Sequence, residues 1–158
     1  MCTALVLCLF DYSISAWYGG ISKHMIKSLQ IAQNKVIRFI LSEHPRYHIE
    51  EVDFKDLNFL NILYRAKQLN LNNVFDFFNE VGPDYLRSHF TRISNLHQYR
   101  TRNSMHNFRV PKCTTSTFGS FYNHVIQDWM ILPSAIKCIS SKPHLKKTVK
   151  TYLLSQIN

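Results

Sequence analysis

Apolar residues recur at helical spacing along most of this chain, and the stretches where that spacing fails are short. From Ala4 to Trp17 the apolar positions are dense enough for a buried helix, stopped by Gly19-Gly20. Ser22 then serves as N-cap of a longer helix reaching about Ser42. At about 100° per residue, Met25, Leu29, Ala32, Val36, Phe39 and Ile40 gather on one side of it, and Lys23, Lys27, Lys35 and Arg38 on another. Pro45 closes it, because proline disfavours helical geometry in the preceding residue and has no backbone donor. A loop follows through Val52.

Asp53 and Asp56 place negative charge where a helix N-terminus favours it. Leu57, Leu60, Ile62, Leu63, Ala66, Leu69, Leu71, Val74, Phe75 and Phe78 keep helical spacing to about Glu80. The asparagines at 58, 61, 70, 72, 73 and 79 weaken that segment, so the expectation is one long helix or two with a break near Asn70 to Asn73, closed by Gly82-Pro83. Pro83 to Leu86 opens a short helix through Phe90. From Thr91 to Ser116 no period holds, and the residues are Thr, Ser, Asn, Arg and His, which reads as an irregular, partly extended basic loop. Ser116 to Met130 restores helical spacing, with Phe118, Phe121, Tyr122, Val125, Ile126 and Trp129 on its apolar side and Pro133 at its end. Ser134 to Ile139 continues as a short turn. A last helix runs from about Pro143 to Gln156, lined by Leu145, Val149, Tyr152 and Leu153.

The pattern amounts to a mainly α chain with little or no β. Residues 1–44 make a helix pair, 53–90 are helical, 91–116 are a long basic loop and 117–158 are helical again. Four glycines and five prolines are too few for the turns of an all-β architecture. With 158 residues, 46% of them apolar and 13% aromatic, one domain with a real core is expected, without internal repeats or a linker that would divide it. Cys2, Cys8, Cys113 and Cys138 are dispersed, with no Cys-x-x-Cys, which fits free, buried thiols in a reducing compartment, cytoplasm or nucleus. Met1 to Phe10 is apolar apart from Thr3 but lacks the basic start and cleavage site of a signal peptide, so a buried helix is the better reading. No apolar run approaches the roughly 20 residues that a membrane span needs.

Charge adds a direction. Nineteen Lys and Arg against ten Asp and Glu leave a net charge of +9, which suits a polyanionic partner. Charge alone does not choose between nucleic acid, an anionic membrane face and an acidic protein. Three basic segments favour nucleic acid. The first is Lys23, Lys27, Lys35 and Arg38; the second is Tyr99, Arg100 and Arg102 beside His97; the third is Lys142, Lys146, Lys147 and Lys150. Guanidinium groups next to flat rings suit phosphates and unpaired bases. Trp129 is read as core rather than as a stacking platform. For this reading to hold, cations from distant segments must come together as one surface.

No catalytic constellation accompanies the basic segments. His44 and His48 are four apart, but Pro45 denies them the helix that a zinc pair needs, and no Glu follows His44. Glu50, Glu51, Asp53 and Asp56 read as a capped and solvated helix start. Neither a Gly-x-Ser-x-Gly elbow nor a Gly-rich phosphate loop is present. No metal, cofactor or small-molecule substrate is expected.

The order of the segments resembles the region downstream of the polymerase palm in LINE-type (non-LTR) retrotransposon reverse transcriptases of the jockey-like kind. Tyr12-Ser13-Ile14-Ser15-Ala16-Trp17-Tyr18-Gly19 is similar to the family's tyrosine-to-tryptophan-glycine helix, and Leu29, Gln33, Asn34, Lys35 and Arg38 to the helix after it. Asp56-Leu57-Asn58-Phe59-Leu60 opens the leucine-rich stretch. His97-x-Tyr99-x-Thr101-Arg102, Val110-Pro111, Trp129-x-x-Leu132-Pro133 and a closing Lys-rich helix complete the order. Met130 departs from the family's usual asparagine. The resemblance implies a thumb-like and post-thumb part of an RNA-directed DNA polymerase, partnered by RNA or a template-primer and by an upstream palm. Polymerase chemistry needs paired aspartates holding two metal ions about 3.5–4 Å apart. This chain has no Asp-Asp dipeptide, so the implied activity is binding without synthesis. A helical protein-interaction module and an inert remnant of a decayed element are the other readings.

Overall fold

The protein is described here from a computed structural model that covers residues 8–12, 14–96, 106–110 and 121–157. It is mainly helical. Two four-residue helices, α1 (Cys8–Asp11) and α2 (Ile14–Trp17), lead through a 3-10 turn (Tyr18–Gly20) into α3 (Lys23–Leu41). Then come α4 (Glu51–Asp56), α5 (Ile62–Phe78) and α6 (Asp84–Arg87). A 3-10 turn (Ile93–Asn95) precedes α7 (Phe121–Ile131), α8 (Ser134–Lys137) and α9 (Lys142–Ser155). The single helix expected over residues 4–17 is therefore two short ones within its described part.

α5 is the hub, packing against α7 and α9 and also touching α1, α2 and α3. Its Leu71, Val74 and Phe75 join Val125, Ile126 and Trp129 of α7 and Leu145, Val149 and Leu153 of α9 in the main core. Ile62 and Ala66, nearer its start, meet Ile14 in a second cluster flanked by Trp17 and Leu29. A third cluster, Ile37 with Ile49 and Phe54, ties the end of α3 to α4.

Asn61 and Asn79 cap the two ends of α5, while Asn70, Asn72 and Asn73 lie within it. The helix runs unbroken across Asn70 to Asn73, since burying Leu71, Val74 and Phe75 outweighs a propensity cost of a few tenths of a kcal/mol per asparagine. The break falls instead at 57–61. Asn58 takes a left-handed conformation, φ 53°, which asparagine tolerates, and the Phe59 N–H returns to the Phe54 carbonyl at 2.8 Å. Asn61 then caps α5, its side chain accepting from the Tyr64 N–H at 2.9 Å.

α3 starts as its sequence predicts, with Ser22 Oγ accepting from the Met25 N–H at 3.3 Å. Its buried face is not the predicted one. Gln33 and Ile37 are the residues that become buried, whereas Met25 and Phe39 stay 55% and 77% exposed. The helix is turned by about a quarter of a revolution from its apolar stripe, because polar bonds set its seat. Gln33 Nε2 donates to the Leu60 carbonyl at 2.8 Å, the Ile62 N–H donates to Gln30 Oε1 at 3.1 Å, and Arg38 Nε donates to the Tyr47 carbonyl at 2.7 Å.

The loop from 91 to 116 is fastened at the parts that are described. Arg92 and Phe108 form an isolated antiparallel bridge, the Arg109 N–H donates to the Thr91 carbonyl at 2.8 Å, and Phe108 is fully buried against Phe78 and Phe90. Trp129 is core, 0% exposed, and its Nε1 donates to the His106 carbonyl at 2.6 Å. Cys8 and Cys138 are exposed free thiols rather than buried ones, with Cys138 Sγ 3.7 Å from His106 Nε2.

Candidate nucleic-acid interface

α3 and α9 are the two long helices without a single carboxylate. The first carries Lys23, Lys27, Lys35 and Arg38, the second Lys142, Lys146, Lys147 and Lys150. Each lies against α5, so α5 holds both basic helices in one body.

The cations differ in how available they are. Lys23, Lys27, Lys35, Lys146 and Lys147 are exposed and make no ion pair among the described residues. Lys27 and Lys35 are two turns apart on α3, about 12 Å along the axis. Arg38 is half-buried and spends its Nε on the Tyr47 carbonyl. Lys142, expected to be exposed with its neighbours, is half-exposed and bound to Asp76 of α5 at 2.6 Å. Lys150, expected likewise, is half-buried. Tyr99, Arg100 and Arg102, with His97, lie outside the described residues.

Half of the ten carboxylates are occupied elsewhere. Asp11, Asp76, Asp84 and Asp128 pair with Arg65, Lys142, Arg87 and Lys67. Asp53 accepts from the Glu50 N–H at 2.8 Å and from the Tyr47 hydroxyl at 3.3 Å, the capping role its sequence position suggests. His44 Nδ1 accepts from the Arg46 N–H at 3.2 Å. Among the described residues no group of three or more His, Cys, Asp or Glu could hold a metal ion, and no helix is long and apolar enough to cross a membrane.

α3 and α9 meet at a cleft of about 130 Å³, to which α3 contributes Gln33 and α9 contributes Lys150. Its other walls are Phe10 and Asp11 of α1, residues 58–60, and Ile62 and Arg65 of α5. Arg65 grips Asp11 with two bonds, Nε to Oδ1 at 2.8 Å and Nη2 to Oδ2 at 2.6 Å, and its Nη1 reaches Gln68 Oε1 at 2.6 Å. Burial, and then the neighbouring charge of Arg65, push the Lys150 ammonium pKa below its ordinary value.

Sequence reasoning missed this cleft, since Asp11, Gln33, Arg65 and Lys150 come from four separate helices and share no spacing. Arg65, the one arginine of α5, shares that helix with Lys67 and Asp76 and gave no distinct signal. It also missed Lys137, a buried lysine whose ammonium donates to Asn107 Oδ1 at 2.9 Å and to the Met130 carbonyl at 3.1 Å, with burial lowering its pKa. Comparison with protein-family models, with curated proteins and with solved structures finds no match.

Proposed function

We propose that this chain binds the backbone of RNA or of a template-primer, without sequence preference and without catalysing synthesis. The observation that carries the reading is the segregation of charge. Two helices free of carboxylates present Lys23, Lys27, Lys35, Lys146 and Lys147 to solvent without a protein partner among the described residues, while most of the chain's aspartates are engaged with other cations. Exposed ammonium groups of this kind neutralise phosphates, and the release of counterions drives the association. The reading agrees with the resemblance to the post-palm region of non-LTR retrotransposon reverse transcriptases, in which this part would handle a template-primer held by an upstream palm.

The test is a salt-titrated binding assay with single-stranded RNA and with a primer-template. Arg38 and Lys142 are unsuitable probes because their removal breaks internal bonds. The informative variants are Lys23→Ala/Lys27→Ala/Lys35→Ala and Lys146→Ala/Lys147→Ala. On single strands each lost phosphate contact lowers the slope of log affinity against log salt by about 0.7, so the triple variant should flatten it by about 2. Unchanged slope and affinity in both variants would overturn the proposal.

A second reading has its own observation. The outer face of α3 leaves Met25, Ile31 and Phe39 exposed among its lysines. Such a face suits a helical protein-interaction module, with the palm of a parent polymerase as the partner that the resemblance implies.

A further inference from the structure

Of the charged groups that line the α1–α3–α5–α9 cleft, Asp11 and Arg65 satisfy each other and Lys150 does not share in that pairing. The Asp11 carboxylate has both oxygens on Arg65, Arg65 gives its remaining described bond to Gln68, and Gln33 Nε2 is held by the Leu60 carbonyl. Lys150 has no hydrogen bond and no ion pair among the described residues, yet it is half-buried beside a second cation. Its ammonium keeps contact with solvent, but no counter-charge among the described residues offsets it, so an anion in the cleft would be its partner. Phe10, Phe59, Leu60 and Ile62 wall the same space, so an anion that enters meets Lys150 in surroundings that screen less than water does. Asp11 does not repel such an anion strongly, because Arg65 already neutralises it.

Size narrows the ligand. Pockets that enclose a whole drug-sized molecule measure roughly 300–1,000 Å³, and this one, at about 130 Å³, accommodates a single anionic group. Segments from four helices and the 58–60 turn line it, a space that suits the end of a strand better than its middle. We infer that the cleft seats one phosphate monoester on the Lys150 ammonium, the terminal phosphate of a nucleic-acid strand whose backbone lies on the lysines of α3 and α9. The strand as bearer of the group rests on the proposed function; the phosphate site itself does not. Because an anion holds the ammonium charged, seating should weaken as pH rises through the lowered pKa of Lys150, with Arg65 and the clamped Asp11 the other charged groups facing the cleft.

The full chain is tested with one oligonucleotide in three forms, carrying a 5′-phosphate, a 3′-phosphate or hydroxyls at both ends. One phosphorylated form should bind about tenfold more tightly than the hydroxyl form, the worth of one charge-assisted hydrogen bond. That ratio should fall to one in Lys150→Met and persist in Lys147→Ala. A ratio of one in the wild type, or an undiminished ratio in Lys150→Met, overturns the inference. A separate measurement follows acylation of Lys150 by an amine-reactive reagent, with and without inorganic phosphate. If no oligonucleotide binds but phosphate slows acylation of Lys150, the nucleic-acid reading fails, the phosphate site stands and its source is a free phosphate. If phosphate leaves the acylation rate unchanged and no ratio appears, the site itself is refuted.

Discussion

α9 and α3 are both amphipathic, both basic and both docked on α5, yet they are held by different forces. α9 buries Leu145, Val149 and Leu153 in register with its apolar stripe, and together with α7 it completes a core around Leu71, Val74 and Phe75. α3, though longer, fully buries only Gln33 and Ile37 and leaves Met25 and Phe39 of its apolar stripe exposed. One helix is seated by apolar area; the other adds hydrogen bonds, to the turn before α5 and to the loop after itself, to the apolar contacts of Leu29 and Ile37. Hydrophobic burial is non-directional and tolerates small rotations, whereas an amide bonded to a particular carbonyl fixes a helix about its axis. The difference teaches that a few directed hydrogen bonds can rotate a helix away from the seat its apolar stripe alone would choose.

The strongest way to break this comparison is to delete a large apolar side chain from each region. Trp129→Ala removes a fully buried indole, packed near Phe78 and bonded to the His106 carbonyl, and should cost about 3–5 kcal/mol by chemical denaturation. Phe39→Ala removes a ring that is mostly in solvent and should change stability by no more than about 0.5 kcal/mol. If the two variants cost similar amounts, the apolar line of α3 is structural after all and the polar seating is wrong.

How much of this was legible follows from the same contrast. α7 and α9 could be read because their apolar period and their buried face coincide, and α5 because Leu71, Val74 and Phe75 override the asparagines around them. The mainly helical class followed from these. The break at 57–61 was misplaced because asparagine was weighed as a weak helix former, although its side chain and its tolerance of left-handed backbone make it a better signal of ends. The seat of α3 was not legible, because glutamine at 30 and 33 gives no hint in sequence of which distant backbone group it will bond. For the candidate interface, Lys23, Lys27, Lys35, Lys146 and Lys147 could be found from helical spacing. The loss of Lys142 to Asp76 and the burial of Lys150 depend on α5 lying across α9, which no local pattern encodes.

A smaller perturbation sharpens the comparison on the α3 side. Gln33→Leu keeps volume near that of the amide but leaves the buried Leu60 carbonyl without its donor, at a cost of about 1–3 kcal/mol. The loss should be local. Amide hydrogen exchange should accelerate in α3 and around 57–62 and stay slow in α7 and α9. Uniform acceleration would mean that α3 and the core open as one unit, and that the amide contributes no separate hold.

The smallest expected effect belongs to the α5–α7 side and is read as a slope. Asp128 of α7 lies 3.8 Å from Lys67 of α5, yet burial raises its pKa above 3.8, and the attractions of Lys67 and His124 only partly offset this. Its proton is held more tightly in the native state than in the unfolded chain. From pH 3.8 up to the raised native value the native state therefore binds more protons, and this group's contribution to stability falls as pH rises. Most carboxylates paired in a native state contribute in the opposite sense. Asp128→Asn deletes the titration, so the stability of the wild type minus that of the variant should decrease with rising pH across this window and level off above it. Denaturation midpoints measured from pH 3.5 to 6.5 give that difference directly. An increase with pH would mean that Lys67 outweighs burial, and that even the apolar side of α5 is held by charge.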